Sequence, residues 1–435
     1  MPFLRTAAAR RTGLALSAAA ALALSGLTLA PTAGAQPAAQ PPTTPHSRTA
    51  AQPLPDTQSL PAARRITTAR SCAVGTRPGM MACQAVKVTA GANTLARSTG
   101  SVGAATAAPA GYGPADLLSA YALPADGGSG ATVAVVDAYD NPDAEADLAT
   151  YRSTFGLPAC GSADGCFRKV GQDGSATALP APDRAWSEEI SLDLDMVSAI
   201  CPRCRILLVE ASTSAIDDLG TAVNTAVSLG AGYVSNSYGG GESAADSSFD
   251  SRFFDHPGVA ITASAGDAGY GAEYPAASQY VTAIGGTTLT RDASARGWGE
   301  TAWAGSGSGC TSWDPKPAWQ QDAGCAGRTI SDVSAVADPS TGVAVYDTYG
   351  GDTGWEVFGG TSVAAPLIAS VYALAGTPPT GSYPASFPYA HPAALNDAAG
   401  GSNGSCAGSY LCTGLPGYDG PTGLGTPAGT AAFQG

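Results

Sequence analysis

The chain has 435 residues, 44% hydrophobic and only 13% charged, which is enough apolar material for one large core or two small ones and excludes wholesale disorder. Its 56 glycines and 32 prolines follow no collagen-like period. With 21 Lys and Arg against 35 Asp and Glu, the net charge of −14 lacks the footprint of a nucleic-acid binder, and no basic amphipathic helix argues for a membrane surface.

At the N-terminus, Arg5, Arg10 and Arg11 precede an apolar run from Gly13 to Ala30, followed by Ala33-Gly34-Ala35. This pattern predicts a secretory signal over residues 1–35, cut after Ala35. A membrane anchor is the rival reading, but no charged stop-transfer flank follows and no other segment is apolar for long enough to span. The protein is therefore expected to be secreted and extracellular. Residues 36–108 are rich in Ala, Pro, Thr and Ser without a sustained apolar period. They read as a short, poorly structured pro-segment or linker, with a small stapled element around Cys72 and Cys83.

From Gly111 the texture changes, and residues 109–435 read as one catalytic-size domain. Ala131 to Val136 is a short β-branched strand ending at Asp137. Pro142 to Phe155 is a helix with Asp143, Glu145 and Asp147 early, where the helix dipole favours acids. Trp186 to Ile200 is helical, with Ile190, Leu194, Val197 and Ile200 on one face. Arg205 to Ala211 is a strand of buried type and Ala215 to Leu229 a helix. Strands follow at Gly232–Tyr238, Val259–Ser264 and Tyr280–Ile284, and Thr361 to Leu374 is helical again. Continuous apolar strands alternating with helices predict an α/β fold with a mostly parallel sheet covered on both faces.

Ten cysteines in an exported chain are expected to form disulfides. Pairing near neighbours is the simplest scheme: Cys72 with Cys83, Cys160 with Cys166, Cys201 with Cys204, Cys310 with Cys325, Cys406 with Cys412. Cys201-Pro-Arg-Cys204 has redox-pair spacing, but it links a helix to a strand and no second C-x-x-C supplies zinc spacing, so a structural loop is the better reading.

Four segments carry chemistry. In Gly359-Gly360-Thr361-Ser362, a serine follows paired glycines at a helix start, where backbone N–H groups could stabilise an oxyanion; a plain N-cap would look the same. The chain has three histidines, His46, His256 and His391, and none in a motif that supports a Ser-His-Asp triad, although spacing alone leaves His256 and His391 open as a base. Glu189 and Asp193, four residues apart on one helix face, offer another base; Glu188 and Asp195 are expected on the solvent side. Asp267 lies in Ser264-Ala265-Gly266-Asp267 at a strand end, where turns form and ligands bind. Near the C-terminus, Asn396-Asp397 and Gly417-Tyr418-Asp419 offer acids and loop carbonyls of the kind a hard cation binds.

Together these segments resemble the sedolisins, or serine-carboxyl peptidases, from about Gly111 to the C-terminus. The nucleophile motif matches Gly360-Thr361-Ser362 with Ala365-Pro366, the Glu-x-x-x-Asp matches Glu189 and Asp193, and the oxyanion aspartate falls on Asp267. The resemblance implies a subtilisin-like three-layer fold and a secreted endopeptidase working in acid, with Ser362 as nucleophile, Glu189 as base, Asp193 orienting it and Asp267 donating to the oxyanion. Asp137 sits where a further acid could hydrogen-bond to Asp193, or where an ordinary strand-end Asp would sit. The resemblance also implies one structural calcium on the carboxylates of Asp397 and Asp419 and the carbonyls of Ala398, Leu415 and Gly417. A monomer acting on protein or peptide substrates, with no nucleic-acid or membrane partner, is expected. Leu415 stands where the family often has glycine, and residues 36–108 are short for the large folded prodomain the family usually carries. Gly400-Gly401-Ser402-Asn403-Gly404 fits the esterase G-x-S-x-G but lies in a loop, whereas that motif needs a strand before it and a helix after. A secreted binding protein that keeps the peptidase fold without turnover is the alternative from another class.

Overall fold

The computed structural model describes residues 66–75, 77–99 and 108–435. The signal expected at 1–35 and the first part of the expected pro-segment lie outside the described residues. In chain order, β1 (Thr67–Arg70), β2 (Ala82–Cys83) and β3 (Val86–Ala90) precede α1 (Pro114–Ala120), β4 (Thr132–Ala138) and α2 (Ala144–Thr154). Then come β5 (Phe167–Gly171), α3 (Arg184–Ile200), β6 (Arg205–Ala211), α4 (Ile216–Ser228), β7 (Tyr233–Asn236) and β8 (Tyr238–Gly241). They are followed by α5 (Asp246–Phe249), β9 (Ala260–Ser264), β10 (Glu273–Tyr274), β11 (Thr282–Arg291) and β12 (Trp298–Ala302). Strands β13 (Gly309–Pro315), β14 (Gly327–Ile330), β15 (Val333–Val336), β16 (Val343–Asp347) and β17 (Gly354–Gly359) lead into α6 (Thr361–Ala375).

The central sheet has eight strands in the order β12-β11-β9-β7-β4-β6-β5, with β15 also on β11. Every pairing is parallel except β11 with β12. Val133 to Val136 are wholly inaccessible, as a strand covered on both faces requires. From β4 the chain goes first to the edge strand β5, returns through β6 beside β4, and then crosses over to β7, β9 and β11 on the other side. The carboxyl ends of β4, β7 and β9 therefore meet where the winding reverses, the position at which open α/β sheets bind ligands.

Helix α6 is apolar on all sides and buried from Thr361 through Ala373, packed on the sheet and against α3. Pro366 inside it has no N–H, so the Ser362 carbonyl lacks its usual helical partner and lies 3.5 Å from the Ser237 hydroxyl instead. All ten cysteines are paired as nearest neighbours.

Residues 66–99 do more than staple a loop. β1 and β3 join β17 and β16 in a four-stranded sheet, and β2 adds to β8 and β10 in a three-stranded one, so this stretch is woven into the edges of the domain.

Candidate active site

Ser362 is the second residue of α6 and is fully buried. Gly360 before it has φ 99°, a left-handed conformation that favours glycine. A Cβ there would fall 2.0 Å from the Gln84 carbonyl oxygen and 2.7 Å from Asp267 Oδ2. The glycine thus clears a space in which a carbonyl and a carboxyl oxygen approach one another. The Ser362 N–H points at the same Gln84 oxygen, 3.4 Å away, and its hydroxyl donates to the Ser237 carbonyl at 3.2 Å.

Asp267 follows β9 and is held from one side only. Its Oδ1 accepts the Thr361 N–H and the Thr361 hydroxyl, both at 2.8 Å, while its buried Oδ2 has no hydrogen-bond partner. Burial pushes its pKa up to about 7, with the Thr361 bonds pulling the other way. A protonated Oδ2 would be a donor facing the Gln84 carbonyl.

Glu189 and Asp193 lie on consecutive turns of α3, whose start is fixed by the Asp183 side chain accepting the Trp186 N–H at 3.1 Å. Both acids are wholly inaccessible. Asp193 Oδ1 lies 2.8 Å from the Ser237 hydroxyl, and neither Glu189 oxygen has a hydrogen bond of ordinary geometry among the described residues. Burial raises both pKa values well above the carboxylate range; repulsion from Asp193 and Asp137 adds to it at Glu189, and from Asp137 at Asp193. The nearby Ser362 hydroxyl acts in the opposite direction on Glu189. Asp137, at the end of β4, is the third member of this group: it is buried, lacks hydrogen bonds, and is pushed up to about 8 by burial. Three carboxyls so close and so dry can carry little negative charge together, so protons are shared among them.

Glu188 and Asp195 differ from expectation. Both are buried, Glu188 between Lys87 and Arg184, and Asp195 with its Oδ2 accepting the Tyr346 N–H at 2.9 Å. β16 and residues 66–99, distant in sequence, cover the helix face that looked free. Of the histidines, His256 lies 2.8 Å from Asn224 Oδ1 and His391 is exposed; neither bonds to Ser362, Glu189 or Asp193, and His46 lies outside the described residues. Ser402 makes only an isolated bridge to Thr413, without the strand and helix an esterase elbow needs.

The expected cation positions are drawn together at the other end of the chain. Asp397 Oδ2 accepts the Gly417 N–H at 2.8 Å and Asp419 Oδ2 the Leu415 N–H at 2.9 Å, with Ala398 buried beside Asp397. Asp419 is fully buried and has no Lys or Arg partner among the described residues; burial pushes it up to about 7. An all-oxygen donor set around a buried acid without a counter-charge fits a hard cation. Glu242, Asp246 and Asp314 form a second acidic cluster that sequence reasoning missed, with ligand atoms within 4.8 Å of one another. Burial, then Asp250, push Asp314 up to about 8, so this cluster balances its charge with protons.

Sequence reasoning also missed Ser237, whose hydroxyl and carbonyl reach Asp193 and Ser362, although a serine before Tyr238-Gly239-Gly240 at a strand end was a usable signal. It missed Gln84 too, whose Nε2 donates to Glu273 Oε2 at 2.6 Å and whose Oε1 accepts from Arg70 at 3.1 Å.

Kumamolisin from Bacillus sp. (strain MN-32) is 31% identical over 366 residues, covering 76% of this chain and 64% of kumamolisin. Sedolisin from Pseudomonas sp. (strain 101) is 31% identical over 175 residues, covering 36% of this chain and 29% of sedolisin. The chain thus spans less than two thirds of the length of either relative. Among solved structures, Pseudomonas sedolisin, a serine-carboxyl proteinase complexed with two molecules of pseudo-iodotyrostatin, superposes with a TM-score of 0.62 at 25% identity, covering 74% of this chain and 96% of that one. No protein-family model matches the chain.

Proposed function

The chain belongs to the sedolisin family, and from that premise we propose that it is a serine-carboxyl endopeptidase, exported and active in acid on protein or peptide substrates. One observation carries the reading: a peptide carbonyl, that of Gln84, lies between the Ser362 N–H and the unpartnered oxygen of Asp267, at the N-terminus of a buried helix. Two donors aimed at one carbonyl oxygen are what stabilises a tetrahedral oxyanion.

In this reading Ser362 attacks the carbonyl carbon and Glu189 takes its proton, turning from the resting Ser362–Ser237 bond toward a base with open acceptor sites. Asp193, tied to Ser237, orients Glu189, and Asp137 spreads the shared charge beneath the pair. Asp267 donates while protonated, which sets the acid preference: the donor is lost as pH rises through about 7. Calcium held by Asp397 and Asp419 with the carbonyls of Ala398, Leu415 and Gly417 would neutralise a buried carboxylate and fix the C-terminal loop.

Hydrolysis of an unfolded protein from pH 3 to 8 tests this, with folded Ser362→Ala and Glu189→Ala variants alongside. Acid-range cleavage lost in both is expected. Cleavage that survives Glu189→Ala would overturn the choice of base.

A further inference from the structure

We propose that Glu242, Asp246 and Asp314 bind a divalent cation, calcium by their chemistry, which clamps the end of β8 to α5 and β13. The site stands apart from the one expected at Asp397 and Asp419, and it does not depend on the peptidase reading. One oxygen from each of the three carboxyls lies within 4.8 Å of the other two. A point therefore exists no farther than about 2.8 Å from all three, against the roughly 2.3–2.6 Å at which calcium holds oxygen in its adaptable shell. Magnesium, at roughly 2.0–2.1 Å in a strict octahedron, would need a larger inward shift.

An acidic cluster alone would not carry this; Asp314 does. It is 2% exposed, and neither of its oxygens has a hydrogen bond of ordinary geometry among the described residues. Its N–H donates to Thr311 Oγ1 at 3.2 Å, which fixes the backbone, and its carboxyl is turned inward to Glu242 and Asp246. Asp246 and the adjoining Asp250 are buried too. Ser243 N–H and hydroxyl donate to Asp246 at 2.8 Å each, the Tyr274 hydroxyl to Asp250 at 3.0 Å, and the Thr311 hydroxyl to Glu242. None of these four acids has an ion pair among the described residues. Arg328, whose charge acts on Asp250, is taken by Asp332 at 3.0 and 2.6 Å. Buried carboxyls need a compensating charge. Protons are one way to supply it; a divalent cation is the other, and here the donors already converge. Glu242 is half-buried, so an ion and its remaining water ligands can enter from solvent.

The clamp falls where the chain is loose. β8 ends in Gly239-Gly240-Gly241, without side chains to pack, and Glu242 follows directly. The same strand begins one residue after Ser237, whose hydroxyl and carbonyl meet Asp193 and Ser362. Asp246 opens α5, and Asp314 lies in β13, inside the loop closed by Cys310 and Cys325. A cation across these three segments fixes the free end of a strand whose other end sets the surroundings of Ser362.

The test uses the full chain carrying Asp397→Ala/Asp419→Asn, which takes the C-terminal positions out of play, at pH 7, where protons compete less for the oxygens. Calcium titrated by calorimetry should bind as one equivalent with a Kd of about 10⁻⁴–10⁻³ M, the range of extracellular calcium modules, and magnesium at least about tenfold more weakly. In the unmutated chain this is a separate, weaker step than binding at Asp397 and Asp419, and Glu242→Gln should remove one equivalent from the total. Terbium should luminesce through Trp313, the neighbour of Asp314, and calcium should chase the signal away. Asp314→Asn and Glu242→Gln should each weaken calcium at least about tenfold. Each should also abolish the slowing of amide exchange that calcium gives residues 238–242. Glu242 is half-buried, so its variant reads the site even where Asp314→Asn fails to fold. The absence of this step up to about 10 mM calcium, or a step unmoved in folded Glu242→Gln, overturns the proposal. Calcium binding that leaves exchange at 238–242 unchanged overturns the clamp.

Discussion

Asp267 offers the sharpest test, because two replacements separate its geometry from its titration. In Asp267→Asn the side-chain oxygen can still accept the Thr361 N–H and hydroxyl at 2.8 Å, and the amide nitrogen takes the place of the unpartnered Oδ2. The amide donates at every pH. The wild-type carboxyl, pushed up to about 7 by burial, donates only while protonated, so its donor form falls about tenfold for each unit above that value. In Asp267→Ala the donor is gone at all pH values. Loss of one oxyanion donor costs roughly 10²–10³ in kcat, about 3–4 kcal/mol. Processed enzyme and both variants would be assayed on one small peptide from pH 3 to 9, with folding checked by circular dichroism. The expected result is an alkaline limb near pH 7 in wild type, its displacement upward in Asp267→Asn, and a uniform loss of two to three orders of magnitude in Asp267→Ala. If Asp267→Asn keeps the wild-type limb, or Asp267→Ala falls within threefold of wild type, the limb and the donor belong to other groups and the oxyanion argument fails.

Gly360→Ala, with φ 99° and a Cβ 2.0 Å from the bound carbonyl, should cost about 1 kcal/mol of stability and at least about a hundredfold in kcat/KM; near-wild-type kinetics would mean that no substrate carbonyl lies there. Stability should fall as pH rises from about 4 to about 8. Asp137, Asp267 and Asp314 are held above their unfolded values by burial, so over that window the unfolded chain has released protons the folded one retains. A melting temperature that is flat or rising across that range, measured without calcium, contradicts the burial argument. Calcium at a hundredfold excess over its Kd should add about 2.7 kcal/mol, and Asp419→Asn should abolish that gain; a gain undiminished in Asp397→Ala/Asp419→Asn would place the ion elsewhere.

Much of the domain was legible because local pattern and tertiary need agree there. The strand at Arg205 to Ala211 falls on β6 residue for residue, and the helix carrying Glu189 and Asp193 lies two residues from its expected start. Strands β12 to β17 were not legible: they are short, glycine-interrupted and set largely by partners far along the chain, as when β17 pairs with β3. The same non-locality misled the reading of Glu188 and Asp195, since nothing within α3 announces that Lys87 and the Tyr346 N–H will reach it. The separate acids and the serine could be named from sequence. The approach of the Ser362 N–H and Asp267 to the Gln84 carbonyl, with Ser237 between Asp193 and Ser362, comes only with the packing of four elements.

The nearest-neighbour disulfides also bear on how the molecule is made. The bridges join residues 11, 6, 3, 15 and 6 positions apart, so each closes a loop the unfolded chain visits readily, and none links one end of the sheet to the other. Ten thiols that meet their partners locally need little reshuffling by an isomerase, and oxidation can proceed before, during or after collapse without trapping a wrong topology. Each short loop restrains the unfolded ensemble only modestly, which leaves the thermodynamic burden to the buried sheet and α6. Refolding from the fully reduced, denatured state should therefore yield the correct connectivity in simple air oxidation.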